Sequence, residues 1–355
     1  GCFDVIHGGH VEFLANARQL GDRLVVCVAG NDVIRQHKGR EPAMPATHRA
    51  CVIGALRFVD DVEITNKGKI GLDFEPHLRR IRPDILAATD DDQYRIAKQR
   101  LCEQTGTAYA TLAKGLTLTT SASSSAIRRR IAAPVRVPLR VDFAGGWLDV
   151  PALAREGCIV NCAIGPLVSL HDWPYEIGSG LGGSAAKSLL EGGDGLDDEL
   201  EAGVGWQDPA VIDETGLCVW RSGARPVLDM RLPVTLLKGR MALLWTGARL
   251  CDCSDLTAHD RDYGLIVEAG QLARDAVIAD DLERLADAIE LSYMAQLKEG
   301  MKHLGFYGEA ARKYCGGGWG GYALYLFATP LERQSFVIAN RRAKAIEPYD
   351  RWGVE

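Results

Sequence analysis

Short β-branched apolar runs alternate with helical patterns along the first 132 residues. Leu24-Val25-Val26-Cys27-Val28 reads as a buried strand. It follows a helical pattern over about 11–20, punctuated by Gly21-Asp22. Asp61-Val62-Glu63-Ile64 and Asp84-Ile85-Leu86-Ala87 are further strand candidates, with helical patterns over 47–58 and 75–81 between them. Strand–helix alternation at this spacing predicts a Rossmann-like α/β domain, a parallel sheet with helices on both faces. Ligands then bind at the carboxyl ends of the strands. The numbering opens at Gly1-Cys2-Phe3-Asp4, which reads as a strand end entering a turn, so a buried strand is expected upstream of it.

The pattern changes at Ala132-Ala133-Pro134, where a basic helix ends and Val135-Arg136-Val137-Pro138-Leu139-Arg140-Val141 begins a new strand. The domain boundary is placed here, giving 1–132 and 134–355. The second region carries glycine clusters at 178–183 and 316–321, and its segment 265–304 has the Ala, Leu and Glu periodicity of one or two long helices. It reads as α+β, without an internal repeat.

Composition narrows the partners. A net charge of −6 over 355 residues argues against nucleic acid or an anionic membrane as the main partner. A small phosphate ligand needs only a local cluster of basic residues. With no apolar run of 18 residues and no signal-peptide pattern, the chain is read as cytoplasmic. The ten cysteines are scattered, and the close pair Cys251 and Cys253 has no second pair beside it. Small buried apolar residues in a reducing compartment account for them better than zinc ligation.

His7-Gly8-Gly9-His10 places two histidines three apart at a helix start, after a strand end and a tight turn. A helix N-terminus offers free N–H groups and the positive end of a dipole, and glycines let a phosphate approach the backbone. Imidazoles there can steady the charge on a phosphorus under attack. The full run Gly1-Cys2-Phe3-Asp4-Val5-Ile6-His7-Gly8-Gly9-His10 resembles the G-x-F-D-x-x-H-x-G-H signature of cytidylyltransferase-like nucleotidylyltransferases. The following run, 14–24, is similar to the heptose-phosphate adenylyltransferase branch. Lys38-Gly39-Arg40 with Pro42 and Arg49 resembles that family's Lys-Gly loop, and Ser123-Ser124-Ser125-Ala126-Ile127-Arg128 its phosphate-holding helix start. The resemblance implies His7, His10, Lys38 and Arg128 as catalytic residues, with Cys2, Phe3, Gly9, Ser124 and Ser125 binding the nucleotide. Ala88-Thr89-Asp90-Asp91-Asp92 departs from that branch, which leaves the nucleoside triphosphate as ATP or CTP.

Gly178-Ser179-Gly180-Leu181-Gly182-Gly183-Ser184 precedes a helix and could cradle a second phosphate; no Gly-Lys-Ser/Thr ending makes it a P-loop. Together with 136–149 and 315–322 it resembles the three ordered motifs of the GHMP kinases, nearest the heptose and fucose kinase branch. The expected fold is therefore an α/β nucleotidylyltransferase domain followed by an α+β GHMP-kinase domain. The resemblance implies Asp208, within Gly205-Trp206-Gln207-Asp208, as the base, with Arg140, Gly145, Gly146, Asp149, Gly317 and Gly318 on the sugar. Gly178, Ser179, Gly180, Gly182, Gly183 and Ser184 would hold ATP, and Ser184 would also face Mg²⁺. Three departures stand out: Glu176 replaces a proline, Gly183 replaces a serine, and Glu191-Gly192-Gly193-Asp194-Gly195 interrupts an expected long helix. The reading is a bifunctional kinase and sugar-1-phosphate nucleotidylyltransferase acting on small sugars, a heptose favoured. The alternative is a transferase whose kinase-like lobe only binds sugar. A homo-oligomer is left open.

Overall fold

A computed structural model describes residues 1–66, 69–113, 124–249 and 261–353, without the side chains of 124–126. Ser123, Cys251 and Cys253 lie outside the described residues. The chain forms two compact units, Gly1–Ile131 and Ala132–Glu355.

Unit one holds β1 (Val25–Ala29), β2 (Asp61–Thr65), β3 (Ile85–Thr89) and β4 (Ala108–Leu112), all in parallel pairings. As expected, the pairing is parallel: among the described residues β1 pairs β2 and β3 pairs β4. Residues 1–3 run beside β1: the Gly1 amino group donates to the Cys27 carbonyl at 2.6 Å, and the Ala29 N–H donates to the Gly1 carbonyl at 2.9 Å. Alternate residues of a strand face opposite neighbours. Val28 turns its carbonyl to Thr65 on β2, so Cys27 and Ala29 present the other edge to Gly1. Helices α1 (Gly8–Arg18), α2 (Asn31–Lys38), α3 (Ala46–Gly54), α4 (Glu75–Ile81), α5 (Arg95–Thr105) and α6 (Ser124–Ala132) complete the unit. Phe3, Leu14, Val26, Val28 and Ile53 form its core.

Unit two is built on β5 (Val137–Ala144), β6 (Cys158–Val168), β7 (Leu217–Arg221), β8 (Val227–Leu232), β9 (Met241–Trp245), β10 (Ala311–Tyr314), β11 (Tyr322–Leu326) and β12 (Ala343–Pro348). Every pairing is antiparallel, in the order β10-β11-β9-β12-β6-β7-β8 with β5 also on β6. Helices α7 (Gly183–Leu190), α8 (Gly195–Glu201), α9 (Gln207–Glu214), α10 (Tyr263–Ile278), α11 (Leu282–Lys298) and α12 (Pro330–Ala339) accompany the sheet. The periodic stretch 265–304 is thus two helices, turning where Asp280 takes a left-handed φ of 54° and Asp281 caps α11. The interruption at 191–195 breaks one long helix into α7 and α8, and the Asp194 carboxylate accepts the N–H groups of Leu196 and Asp197 to start the second. Glu176, in place of the proline, accepts the Tyr322 hydroxyl. Lys344 donates to the Pro174 carbonyl, so the approach to the glycine loop is tied to β11 and β12.

β5 is buried at all eight positions, on both faces. Its two-residue period puts Val137, Leu139, Val141 and Phe143 into the main core. Arg140 and Asp142 occupy the opposite side together, and only ion pairing makes their burial tolerable.

Candidate active sites

In unit one, His7 is the N-cap of α1, extended at φ −143° and ψ 170°, and His10 lies in the first turn. The spacing brings their ring centroids to 3.9 Å, and the Phe3 ring stands edge-on to His10 at 5.1 Å. Gly9 makes the stack possible, because a Cβ there would lie 3.2 Å from the His7 ring. Phe3 takes a strained φ of 46°, which swings it into the core beside these imidazoles. The His7 side chain makes no capping hydrogen bond to the α1 N-terminus. Lys38 is exposed at the end of α2, followed by Gly39 in the left-handed conformation that stops the helix. Arg128 is half-buried on α6. Among the described residues, the ring contacts joining Phe3, His7 and His10 do not extend to Lys38 or Arg128. Cys2 is half-buried; Ser124 and Ser125 open α6, and their side chains lie outside the described residues.

Two further residues of the motifs quoted from the sequence, Asp4 and Arg49, support this site. Asp4, 2% exposed, pairs with Arg40 at 2.8 Å and accepts the Ala43 N–H at 2.6 Å. Burial pushes its carboxyl up, but these donors outweigh it and hold it below the ordinary value. Arg49 is fully buried and donates to the carbonyls of Met44, Cys2 and Ala29 and to Asn31 Oδ1, at 2.6–3.0 Å. One guanidinium thus joins the loop before the histidines to the end of β1, the start of α2 and the loop before α3.

In unit two the three glycine-rich segments converge on a cavity of about 780 Å³. Arg140, Gly146, Asp149, Gly178, Ser179, Gly180, Gly182, Gly183, Ser184, Asp208 and Gly317 all line it. Gly145 and Gly318 are set back in the packing: a Cβ at Gly145 would strike the Cys158 carbonyl at 2.0 Å, and one at Gly318 the Met301 sulfur at 2.4 Å. Gly182 caps α7 with φ 77° and, having no side chain, makes no capping hydrogen bond there. A Cβ on it would press on both Arg140 and Asp208 at 3.3 Å, so the missing side chain lets the charged pair approach the helix start.

The charges form one network. Arg140 donates from Nε to Asp208 at 2.6 Å, from Nη1 to Asp142 at 2.9 Å, and to the Gly180 carbonyl at 3.1 Å. Lys313 of β10 donates to Asp142 Oδ2, while Oδ1, which Arg140 engages, also accepts the Gly316 N–H at 3.1 Å. Burial pushes Asp142 up, but the charges of Lys313 and Arg140 win and hold it below the ordinary range. Asp149 accepts the backbone and side-chain N–H groups of Gln207, both at 3.2 Å. Burial, and then the nearby charge of Asp208, push its carboxyl up to about 6. Gly205 leaves room for it, since a Cβ there would lie 1.8 Å from Asp149 Oδ2. Ser184 donates to Glu199 of α8, whose carboxyl is raised by burial and then by Asp208. Asp142, Lys313, Gln207 and Glu199 were not among the sequence candidates. The alternation of Arg140 and Asp142 along a strand with an otherwise apolar face could have signalled the first.

Among the described residues no helix is long and apolar enough to cross a membrane, and no cluster of three or more His, Cys, Asp or Glu is arranged to hold a metal.

Comparison with known proteins identifies the first unit. The cytidylyltransferase-like family profile matches residues 1–130. The FAD synthase of Pyrococcus horikoshii is 46% identical over 94 residues, covering 26% of this chain and 62% of that protein. The Bifunctional protein HldE of Alcanivorax borkumensis is 44% identical over 92 residues, covering 26% of this chain and 18% of that protein. Across the FAD synthases it matches, the chain spans 62–68% of their length. A crystal structure of a D-glycero-D-manno-heptose 1-phosphate kinase from Bacteroides thetaiotaomicron is 16% identical, covering 61% of this chain and 95% of that one at a TM-score of 0.46. The HxGH helix start at its N-terminal unit and the match over that whole unit lead to one conclusion: the chain belongs to the cytidylyltransferase-like family.

Proposed function

We propose that unit two phosphorylates a small sugar with ATP, and that unit one transfers a nucleotidyl group to the resulting sugar 1-phosphate. The observation that carries the kinase half is the carboxylate pair Asp208 and Asp149 on the wall of a cavity that the glycine-capped start of α7 also lines, with Arg140 bridging Asp208 to the buried network.

Asp149, held by Gln207, accepts sugar hydroxyls. Asp208 takes the proton of the attacking hydroxyl. A bond forms between that oxygen and the γ phosphorus, the bond from the γ phosphorus to the β-bridging oxygen breaks, and ADP leaves. Arg140 fixes the direction of the Asp208 carboxylate through its planar guanidinium. The hydroxyl of Ser184 and the carboxylate of Glu199, hydrogen-bonded to each other on the cavity wall, are oxygen donors that fit a magnesium ion. Magnesium, when bound there, neutralises phosphate charge.

In unit one, an oxygen of the sugar 1-phosphate attacks the α phosphorus of ATP or CTP and pyrophosphate departs. The α1 N-terminus and the stacked imidazoles of His7 and His10 receive the charge that gathers on the phosphoryl oxygens. Lys38 and Arg128 would engage the leaving pyrophosphate. A heptose is the favoured sugar because both halves resemble heptose branches. The identity to FAD synthases favours a second reading for unit one, a flavin acceptor.

Phosphorus NMR on the intact chain with ATP, Mg²⁺ and a panel of free sugars tests the kinase half. Sugar 1-phosphate is expected, and Asp208→Asn should lower its rate about 10²–10⁴-fold. No sugar phosphate from any member of the panel refutes it. Nucleotidyl transfer is then followed by pyrophosphate release with sugar 1-phosphate and with a riboflavin phosphate in parallel. His10→Ala should lower it about 10²–10³-fold, by loss of one donor to the developing charge. Release with the flavin alone moves unit one to the second reading.

A further inference from the structure

We propose that Arg249 is the phosphoryl clamp of the unit-two cavity, the cation that grips triphosphate oxygens between the two glycine loops. This rests on the kinase reading above and adds to it a residue that no motif marks.

The backbone decides where Arg249 stands. Directly after β9, the Thr246 N–H and hydroxyl both donate to the Gly321 carbonyl, at 2.9 and 2.8 Å, and the Gly321 N–H returns to the Gly247 carbonyl at 2.8 Å. Gly320 packs so closely on this segment that a Cβ would lie 2.7 Å from the Ala248 carbonyl. The Tyr322 N–H donates to the Ser179 carbonyl at 2.9 Å, which ties the same strand to the other loop. The backbone leading to Arg249 is thus tied to both glycine loops. A Cβ on Gly180 would lie 2.9 Å from Arg249 Nη2, and a Cβ on Gly316 would lie 3.0 Å from the same atom. Both glycines are left-handed, at φ 79° and 56°. Each belongs to a different loop, and each leaves space for one guanidinium that lines the cavity between them.

The charge inventory gives that guanidinium its task. The lining holds five carboxylates, Asp149, Glu176, Asp198, Glu199 and Asp208, so an incoming triphosphate meets a repulsive wall. Three cations line it. Arg140 is committed to Asp142 and Asp208. Lys187 is exposed on α7 with Glu191 4.0 Å away. Arg249 is chosen by position: its Nη2 stands 2.9 and 3.0 Å from the Cβ sites of glycines in the two loops, on the cavity wall. A planar guanidinium matches two phosphate oxygens at once, and it needs no reorganisation as charge moves to the β-bridging oxygen. The proton still passes to Asp208, and Arg249 keeps its own.

The test uses the intact chain with Arg249→Gln and Arg249→Lys. Nucleotidyl transfer by unit one and the melting of unit two report folding in the same samples. Arg249→Gln is expected to lower kcat/KM for ATP about 10²–10³-fold while the KM of the sugar moves less than twofold. Arg249→Lys should recover a tenth or more of the loss, because a point charge replaces the fork. A wild-type kcat/KM for ATP in Arg249→Gln overturns the clamp and leaves the kinase reading standing. So does a loss confined to the KM of the sugar. If the unmodified chain makes no sugar phosphate, the kinase reading falls and the clamp falls with it.

Discussion

Replacing Lys313 by Met removes one of four charges from a network that is nearly closed to water. Lys313 is 1% exposed, Asp142 2% and Arg140 3%. The four groups, counting Asp208, sum to zero, so either single substitution leaves an odd charge behind. Breaking a buried pair costs about 3–5 kcal/mol. Lys313→Met should fall near 3 kcal/mol of that range, because Asp142 keeps Arg140 at 2.9 Å and the Gly316 N–H at 3.1 Å. Asp142→Asn should fall near 5 kcal/mol, because the Lys313 ammonium then has only neutral oxygens such as the residue 142 carbonyl, 3.1 Å away. For a unit of the size of Ala132–Glu355, each kcal/mol moves Tm by about 2–4 °C. The expected falls are roughly 6–12 °C and 10–20 °C. Calorimetry on the intact chain reads them, with the melting of unit one as an internal reference. The double variant restores neutrality around Arg140 and Asp208, so it should melt above Asp142→Asn alone. A Lys313→Met shift worth less than about 0.5 kcal/mol, the range of surface substitutions, would refute the reasoning. So would a double variant whose cost equals the sum of the two single ones.

Two further outcomes follow from the same geometry. The Asp149 carboxyl titrates at about 6 in the folded chain, above its ordinary 3.8. A folded state that holds the proton more tightly is favoured below pH 3.8, and that advantage is lost as pH rises through about 6. Asp149→Asn, which cannot ionise, should therefore be more stable than the unmodified chain at pH 8, by up to about 3 kcal/mol, with the gap closing toward pH 4. Urea unfolding at three pH values reads this, and a gap that does not change with pH contradicts it. In unit one, Arg49→Met removes donors from four acceptors on four segments, so it should destabilise that unit by at least about 3 kcal/mol and impair transfer without touching the imidazoles. Unchanged melting of unit one would show that the guanidinium is not the strut described.

Sequence reading located β1, β2, β3 and β5 and the helices α1, α3, α4, α6, α7, α10 and α11, because their physical causes are local; it did not locate β4, β6 to β12, α8, α9 or α12. The apolar run at 24–28 lies across β1 and the 75–81 pattern is α4, since period and punctuation act over a few residues. It left out α2 and α5, whose average hydropathy is low and whose buried faces amount to two residues each. The parallel pairing expected in unit one is found, and the partners, β1 with β2 and β3 with β4, depend on which strands become neighbours and not on their own composition.

By itself, the sequence determined the local backbone features on which the proposed phosphate sites rest. A glycine run before a helix and two histidines at a helix start have consequences that follow from backbone geometry within a turn or two. What it could not determine is which charged residues share a space. Arg140, Asp208 and Lys313 are spread over more than 170 positions, and Arg249 is not a neighbour in sequence of either glycine it touches. Only the antiparallel sheet, closing β5 against β6 and carrying β10 and β9 to the same cavity, decides that these charges meet. Ion pairs and steric room are set by distances of a few ångströms in space, and no pattern along the chain encodes those distances directly.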